Sequence, residues 1–190
     1  MGSPDLDLRP PQMKRSTMRA WIQECPHCHY LAPELSLPVA SKTALDSAAY
    51  EALRVEARFP ELARKFLGYA LLTVESNPIQ AGYARLRAAW DCDDARLAES
   101  ATACRNAAAE CFMRLKPFED NEPGAATALV LIDVLRRAGN FEQAAGECGE
   151  LWPSQNVAEV MRDVLKYQRV LITQRDDAAY RIEDAIRAAS

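Results

Sequence analysis

Cys25 and Cys28, in the run Cys25-Pro26-His27-Cys28-His29-Tyr30, are the only pair of side chains at metal-ligand spacing in these 190 residues. Two thiolates held three positions apart supply half of a tetrahedral zinc site. A closed site needs two further ligands, and no second Cys-x-x-Cys is present. His27 and His29 adjoin the knuckle at an awkward angle for the same ion, and Cys92 stands apart in Trp90-Asp91-Cys92-Asp93-Asp94. The expected metal ligands are therefore Cys25 and Cys28, with His27 and His29 as the nearest groups to extend the set. Cys104, Cys111 and Cys148 fall on apolar helix faces and read as small buried thiols. The aspartates around Cys92 read as helix caps.

A second chemistry uses the same atoms. Cys-Pro-His-Cys resembles the active-site tetrapeptide of strongly oxidising thioredoxin-fold enzymes, where the helix N-terminus and the His stabilise the first thiolate. That chemistry needs a strand before the motif and a helix directly after it. Here Pro33 and Pro38 follow, and the rest of the chain offers no convincing set of sheet strands. Both histidines sit in the knuckle, so no Ser-His-Asp arrangement can be assembled, and no phosphate-binding glycine loop is present.

The elements that must position the knuckle begin with Gly2 to Arg15, whose three prolines and lack of apolar period predict an extended arm or loop. From Ser16 to Cys25, Met18, Ala20 and Ile22 alternate with Arg19, Trp21 and Gln23, the period of a short strand. Helical patterning then takes over. The stretch Pro60 to Trp90 and the stretch Pro123 to Pro153 each read as a helical hairpin. An offset of 63 residues lays Asn77 on Asn140, Gln80 on Gln143, Ala81 on Ala144, Leu72 on Leu135 and Ala63 on Ala126. Between them, Asp94 is expected to cap a long fourth helix with a stripe at Leu97, Ala101, Cys104, Ala108, Cys111, Phe112 and Leu115. Two further helices, from Val157 to Ile172 and from Asp177 to Ala188, complete the pattern.

Composition narrows the function classes. Hydrophobic residues at 49% and charged residues at 26% describe an ordinary globular chain. A net charge of −4 gives no basic footprint for nucleic acid. The longest apolar runs fall far short of the ~20 residues of a membrane span. Met1 is followed by Gly-Ser-Pro-Asp-Leu-Asp and not by a secretion signal, so the expected location is cytoplasmic.

The second hairpin resembles a tetratricopeptide repeat (TPR) in its turn Gly139-Asn140-Phe141, with Ala144 three residues on, Leu131 and Leu135 before and Pro153 after. It departs at Ile132, where that family places a small residue. The run from Arg9 to Leu35, RPPQMKRSTMRAWIQECPHCHYLAPEL, resembles the second ribbon half of a family of uncharacterised bacterial proteins. In that family two Cys-x-x-Cys knuckles precede a TPR-like helical domain. The resemblance implies that Cys25 and Cys28 are the second ligand pair of a zinc ribbon, and that Met1 is a late start. The sequence departs by lacking the first pair, and by having His29 where the family tends to have Gly.

The expectation is an all-α fold of about seven or eight helices in TPR-like hairpins, with a short N-terminal extended and knuckle element. The arm and half-ribbon would occupy residues 1–40 and the helical domain 41–190. The expected function is a protein- or peptide-binding module rather than an enzyme. Its groove would lie between the two hairpins and the fourth helix, lined by Tyr69, Tyr83, Arg85 and Arg87. Thiol–disulfide exchange at Cys25 and Cys28 stays open as the alternative, as does assembly into a homo-oligomer.

Overall fold

In a computed structural model describing residues 2–36, 41–154 and 157–189, the punctuation read from the sequence becomes helix termini. Pro38 lies outside the described residues. The fold is all-α, with ten α-helices and a two-stranded N-terminal hairpin among the described residues. Beyond the expected seven or eight helices are the single turn α1 (Gln12–Arg15) and the splitting of the helical segment before Pro60 into two, α2 (Lys42–Leu45) and α3 (Ala48–Arg54). No helix among the described residues is long and apolar enough to cross a membrane. The chain divides into two compact units, one of Met13–Arg114 and one assembled from both ends, Met1–Gln12 with Leu115–Ser190. The 40/41 boundary falls inside the first.

In the Met13–Arg114 unit, α4 (Glu61–Thr73) and α5 (Pro78–Asp94) form the first hairpin and α6 (Ala98–Met113) packs against α5. Asn77 starts α5 by accepting the Gln80 N–H, and Pro78 occupies the first turn, where its missing N–H costs nothing. Alanines at 81, 84, 88 and 89, all fully buried, let the helices approach closely. At Gly82 the approach is closest, since a Cβ there would lie 2.7 Å from Phe112 Cε1. The expected stripe of α6 is buried at Ala101, Cys104, Ala108, Cys111 and Phe112, but Leu97 is 39% exposed.

Two local expectations are corrected here. Asp94 does not cap α6, because α5 runs on to Asp94 and Leu97 takes the N-cap position. The acidic cluster is used otherwise: Asp91 Oδ2 accepts the Ala63 N–H in the first turn of α4 at 2.9 Å, and Asp93 pairs with the buried Arg105. The alternating run from Ser16 to Cys25 is not the short strand its period suggests either. Met18–Ala20 forms a 3-10 turn, and only Gln23–Glu24 (β1) pairs, antiparallel, with Leu31–Ala32 (β2).

In the other unit, α7 (Glu122–Arg137) and α8 (Phe141–Leu151) form the second hairpin, joined by α9 (Glu159–Thr173) and α10 (Ile182–Ala189). Asn140 holds the N-cap position of α8 as Asn77 holds that of α5, and Gly139, at φ 79°, makes the turn before it. Helix α7 is buried continuously from Thr127 to Arg136, including the ion pair Asp133–Arg136. The N-terminal arm is not free. Asp5 bridges Arg181, the Leu6 N–H donates to Tyr180 O, and fully buried Asp7 accepts Arg137 Nη1 at 2.9 Å.

Candidate functional site

The knuckle is the turn of the β1–β2 hairpin. Gln23 faces Ala32 and Glu24 faces Leu31; inside that pair the Cys25 N–H donates to Tyr30 O and the His29 N–H donates to Cys25 O, both at 2.9 Å. His29 closes the turn at φ 59°, a left-handed conformation that glycine adopts freely and histidine more readily than most residues. The hairpin is fixed to the helices at two points. Leu31 packs onto α4 at Gly68, where a Cβ would come within 2.6 Å of Leu31 Cδ1. Tyr50 of α3, 1% exposed, donates its hydroxyl to His29 O at 2.7 Å.

The backbone of this turn serves Cys25. N–H groups of Cys28 and His27, and the Cys28 thiol, hydrogen-bond its sulfur and hold its pKa below the ordinary thiol range. Cys25 is partly exposed and Cys28 exposed. His29 is committed elsewhere: its Nδ1 lies 3.0 Å from Glu24 Oε1, and Glu24 also meets Lys65 Nζ at 3.3 Å. Burial pushes the Glu24 carboxyl up, but the bonds from His29 and Lys65 outweigh it and its pKa is lowered. After Cys28 the chain enters β2, so the motif opens no helix.

Among the described residues no three His, Cys, Asp or Glu side chains gather around one point. The knuckle therefore fits half of a tetrahedral zinc set, and the described residues do not close it within one chain. Cys92, Cys104, Cys111 and Cys148 are at most 2% exposed. A hydrogen bond from the Cys104 thiol draws the Cys92 pKa down, and the same bond together with burial drives that of Cys104 far up. Burial pushes Cys148 up to about 12.

The four residues expected to line a groove all lie in the Met13–Arg114 unit, half-buried, Tyr69 on α4 and the others on α5. Arg85 is used internally, donating to Ala107 O at 2.8 Å and to Cys111 Sγ at 3.0 Å, which ties α5 to α6. Tyr83 meets the Phe112 ring edge-on with centroids 5.2 Å apart. Arg87 differs from Arg85. Its guanidinium lies 5.7 Å from the centre of the Trp21 ring and close enough to Tyr69 and Tyr83 to interact with both. Burial lowers its pKa, and no carboxylate among the described residues forms an ion pair with it. Trp21 and Tyr30, the latter interacting with Tyr69, extend this cluster. The alternating pattern assigns Trp21 to a strand, and no local signal brings it to Arg87. Comparison with protein-family models, curated proteins and solved structures finds no match.

Proposed function

We infer that this chain is a protein- or peptide-binding module built on TPR-like helical hairpins, and that Arg87 receives an acidic side chain or terminal carboxylate of the partner. The observation that carries this reading is the environment of Arg87: a half-buried cation framed by Trp21, Tyr69 and Tyr83, with no counter-ion among the described residues. A guanidinium stripped of part of its water gains from a planar anion, and aromatic rings around it supply apolar contact area at small entropic cost. The experiment is selection from a displayed peptide library on the immobilised protein. Enrichment of peptides bearing Asp or Glu is expected, with affinity falling roughly 10- to 100-fold in Arg87→Ala, as for the loss of a charged hydrogen bond. Selected peptides without acidic groups, or equal binding by Arg87→Ala, would sink the reading.

Thiol–disulfide exchange is the second reading. It draws on the N–H groups aimed at Cys25 Sγ. It weighs less because the motif opens no helix whose dipole would support a strongly oxidising pair.

A further inference from the structure

We propose that the groove between α8 and α9 docks an amphipathic helix of a partner protein, whose acidic residues meet Arg169 and Lys166. The groove has two stretches, of about 380 Å³ and about 410 Å³, which share Trp152, Arg169 and Thr173. The first follows α8 at Ala145, Cys148, Gly149 and Trp152, the i, i+3, i+4, i+7 row of one helix face, with Ile172 of α9 opposite. The second adds Lys166 and Val170 of α9. From Ala145 to Trp152 the row is roughly 10 Å long, enough for two turns of a docked helix. A row of this kind beside a second helix forms a channel into which the side-chain ridge of a third helix fits.

Apolar surface, charge and backbone access coincide in this groove. Trp152 is 45% and Val170 50% exposed, and the Arg169 guanidinium lies 4.3 Å from the centre of the Trp152 ring. A guanidinium stacked on an indole keeps its N–H edge for a carboxylate, and Trp and Arg are the side chains that most often anchor an interface. Although the chain carries a net charge of −4, no carboxylate among the described residues lines either stretch. Lys166 meets Asp163 at 3.0 Å, but Lys166 is 59% exposed there and such a surface pair gives way to a partner's acid at little cost. The complementary occupant is therefore acidic. Gly149 leaves room for its backbone, since a Cβ at that position would meet nothing within 4 Å. The groove belongs to the unit holding Leu115–Ser190, so it is a separate site from the Arg87 cluster.

The probe is a displayed library of amphipathic helices about 15 residues long, randomised along one face and screened on the immobilised full chain. Enriched helices should carry Asp or Glu beside large apolar residues. Gly149→Leu fills the groove without a clash and improves helix propensity. It should keep or raise the melting temperature while weakening the selected helices roughly 10- to 100-fold. Gly146→Leu, equally open but outside the groove, should bind them as the parent does. Arg169→Glu should lose the same helices, whereas Arg87→Ala should retain them, so this site and the Arg87 reading fail separately. No enriched helix, enriched helices without acids, binding that survives Gly149→Leu, or equal loss in Gly146→Leu would each overturn the proposal. So would a dimer of the unliganded chain that Gly149→Leu abolishes, because the occupant would then be a second copy.

Discussion

Replacing Arg136 by methionine isolates the buried ion pair at the heart of α7. Arg136 is 0% and Asp133 1% exposed; Arg136 Nη2 donates to Asp133 Oδ1 at 2.7 Å, and Nη1 donates to Asp176 O. Burial pushes the Asp133 carboxyl up, against the pull of Arg136. Methionine fills most of the stem volume but leaves the Asp133 carboxylate without its ion-pair partner and the Asp176 carbonyl without its donor. Breaking a buried pair from one side costs roughly 3–5 kcal/mol. With a urea slope of about 2 kcal/mol/M, the midpoint should fall by roughly 1.5–2.5 M. Hydrogen exchange read by mass spectrometry locates the loss. Amides of α7 and α9 should lose protection while those of α5, in the other unit, keep theirs. Burial already raises the Asp133 pKa in the parent and the loss of Arg136 raises it further, so the variant's native state holds a proton that the unfolded chain releases. Stability should therefore fall as pH rises from about 4 toward 7. Adding Asp133→Leu should remove that pH dependence and recover about 2 kcal/mol or more. A single variant within about 1 kcal/mol of the parent, or a double variant no better than the single, would refute the account of Arg136 as the cation that makes Asp133 tolerable.

Thiol labelling in the presence of chelator should find two fast sites, Cys25 and Cys28, and four that react only on unfolding, because the six cysteines divide by exposure in that way. The Cys25 rate should climb at a pH below that of an ordinary thiol, whereas Cys148, pushed up to about 12 and buried, should stay silent at neutral pH; the opposite order would contradict the turn geometry. Gly82→Val forces a branched side chain against the Phe112 ring, which is 0% exposed and has no room to yield. A loss of about 1–3 kcal/mol follows, read as a fall in melting temperature of roughly 5–20 °C for a unit of this size, and an unchanged melt would mean the helices part freely.

Much of the fold was legible because its signals are local. Asn77 and Asn140 stop one helix and start the next, and the apolar run of α7 is buried along its length. What was illegible depends on partners distant in sequence. Nothing near Asp7 announces Arg137, and the proline-rich arm read only as an extended arm or loop for that reason. Asp91, Asp93 and Asp94 looked like a cap because capping is local, whereas Asp91 caps α4 and Asp93 answers Arg105. Met18 and Ile22 are both buried, one in a 3-10 turn and one just after it, and that apolar spacing over five residues imitates a strand. At the candidate site the Cys25–Cys28 spacing was plain from the letters. The separation of Arg85 from Arg87, one tied to Cys111 and the other beside Trp21, needed coordinates, since two arginines on one helix carry identical text.

The docking of the arm onto Tyr180 and Arg181 sets a timetable for synthesis. A ribosome finishes residues 13–114 before any of α7 exists, so that unit has all its own helices while the other has only its first twelve residues. Leu6 must wait for roughly 170 further residues, on the order of 10–30 s at typical elongation rates, before its backbone partner Tyr180 emerges. Nascent chains stalled short of Arg137 would carry a finished insert flanked by an unsealed unit, with Asp7 still lacking its settled place beside that arginine. A segment made late, at Tyr180 and Arg181, is thus the latch for one made early, at Asp5 and Leu6.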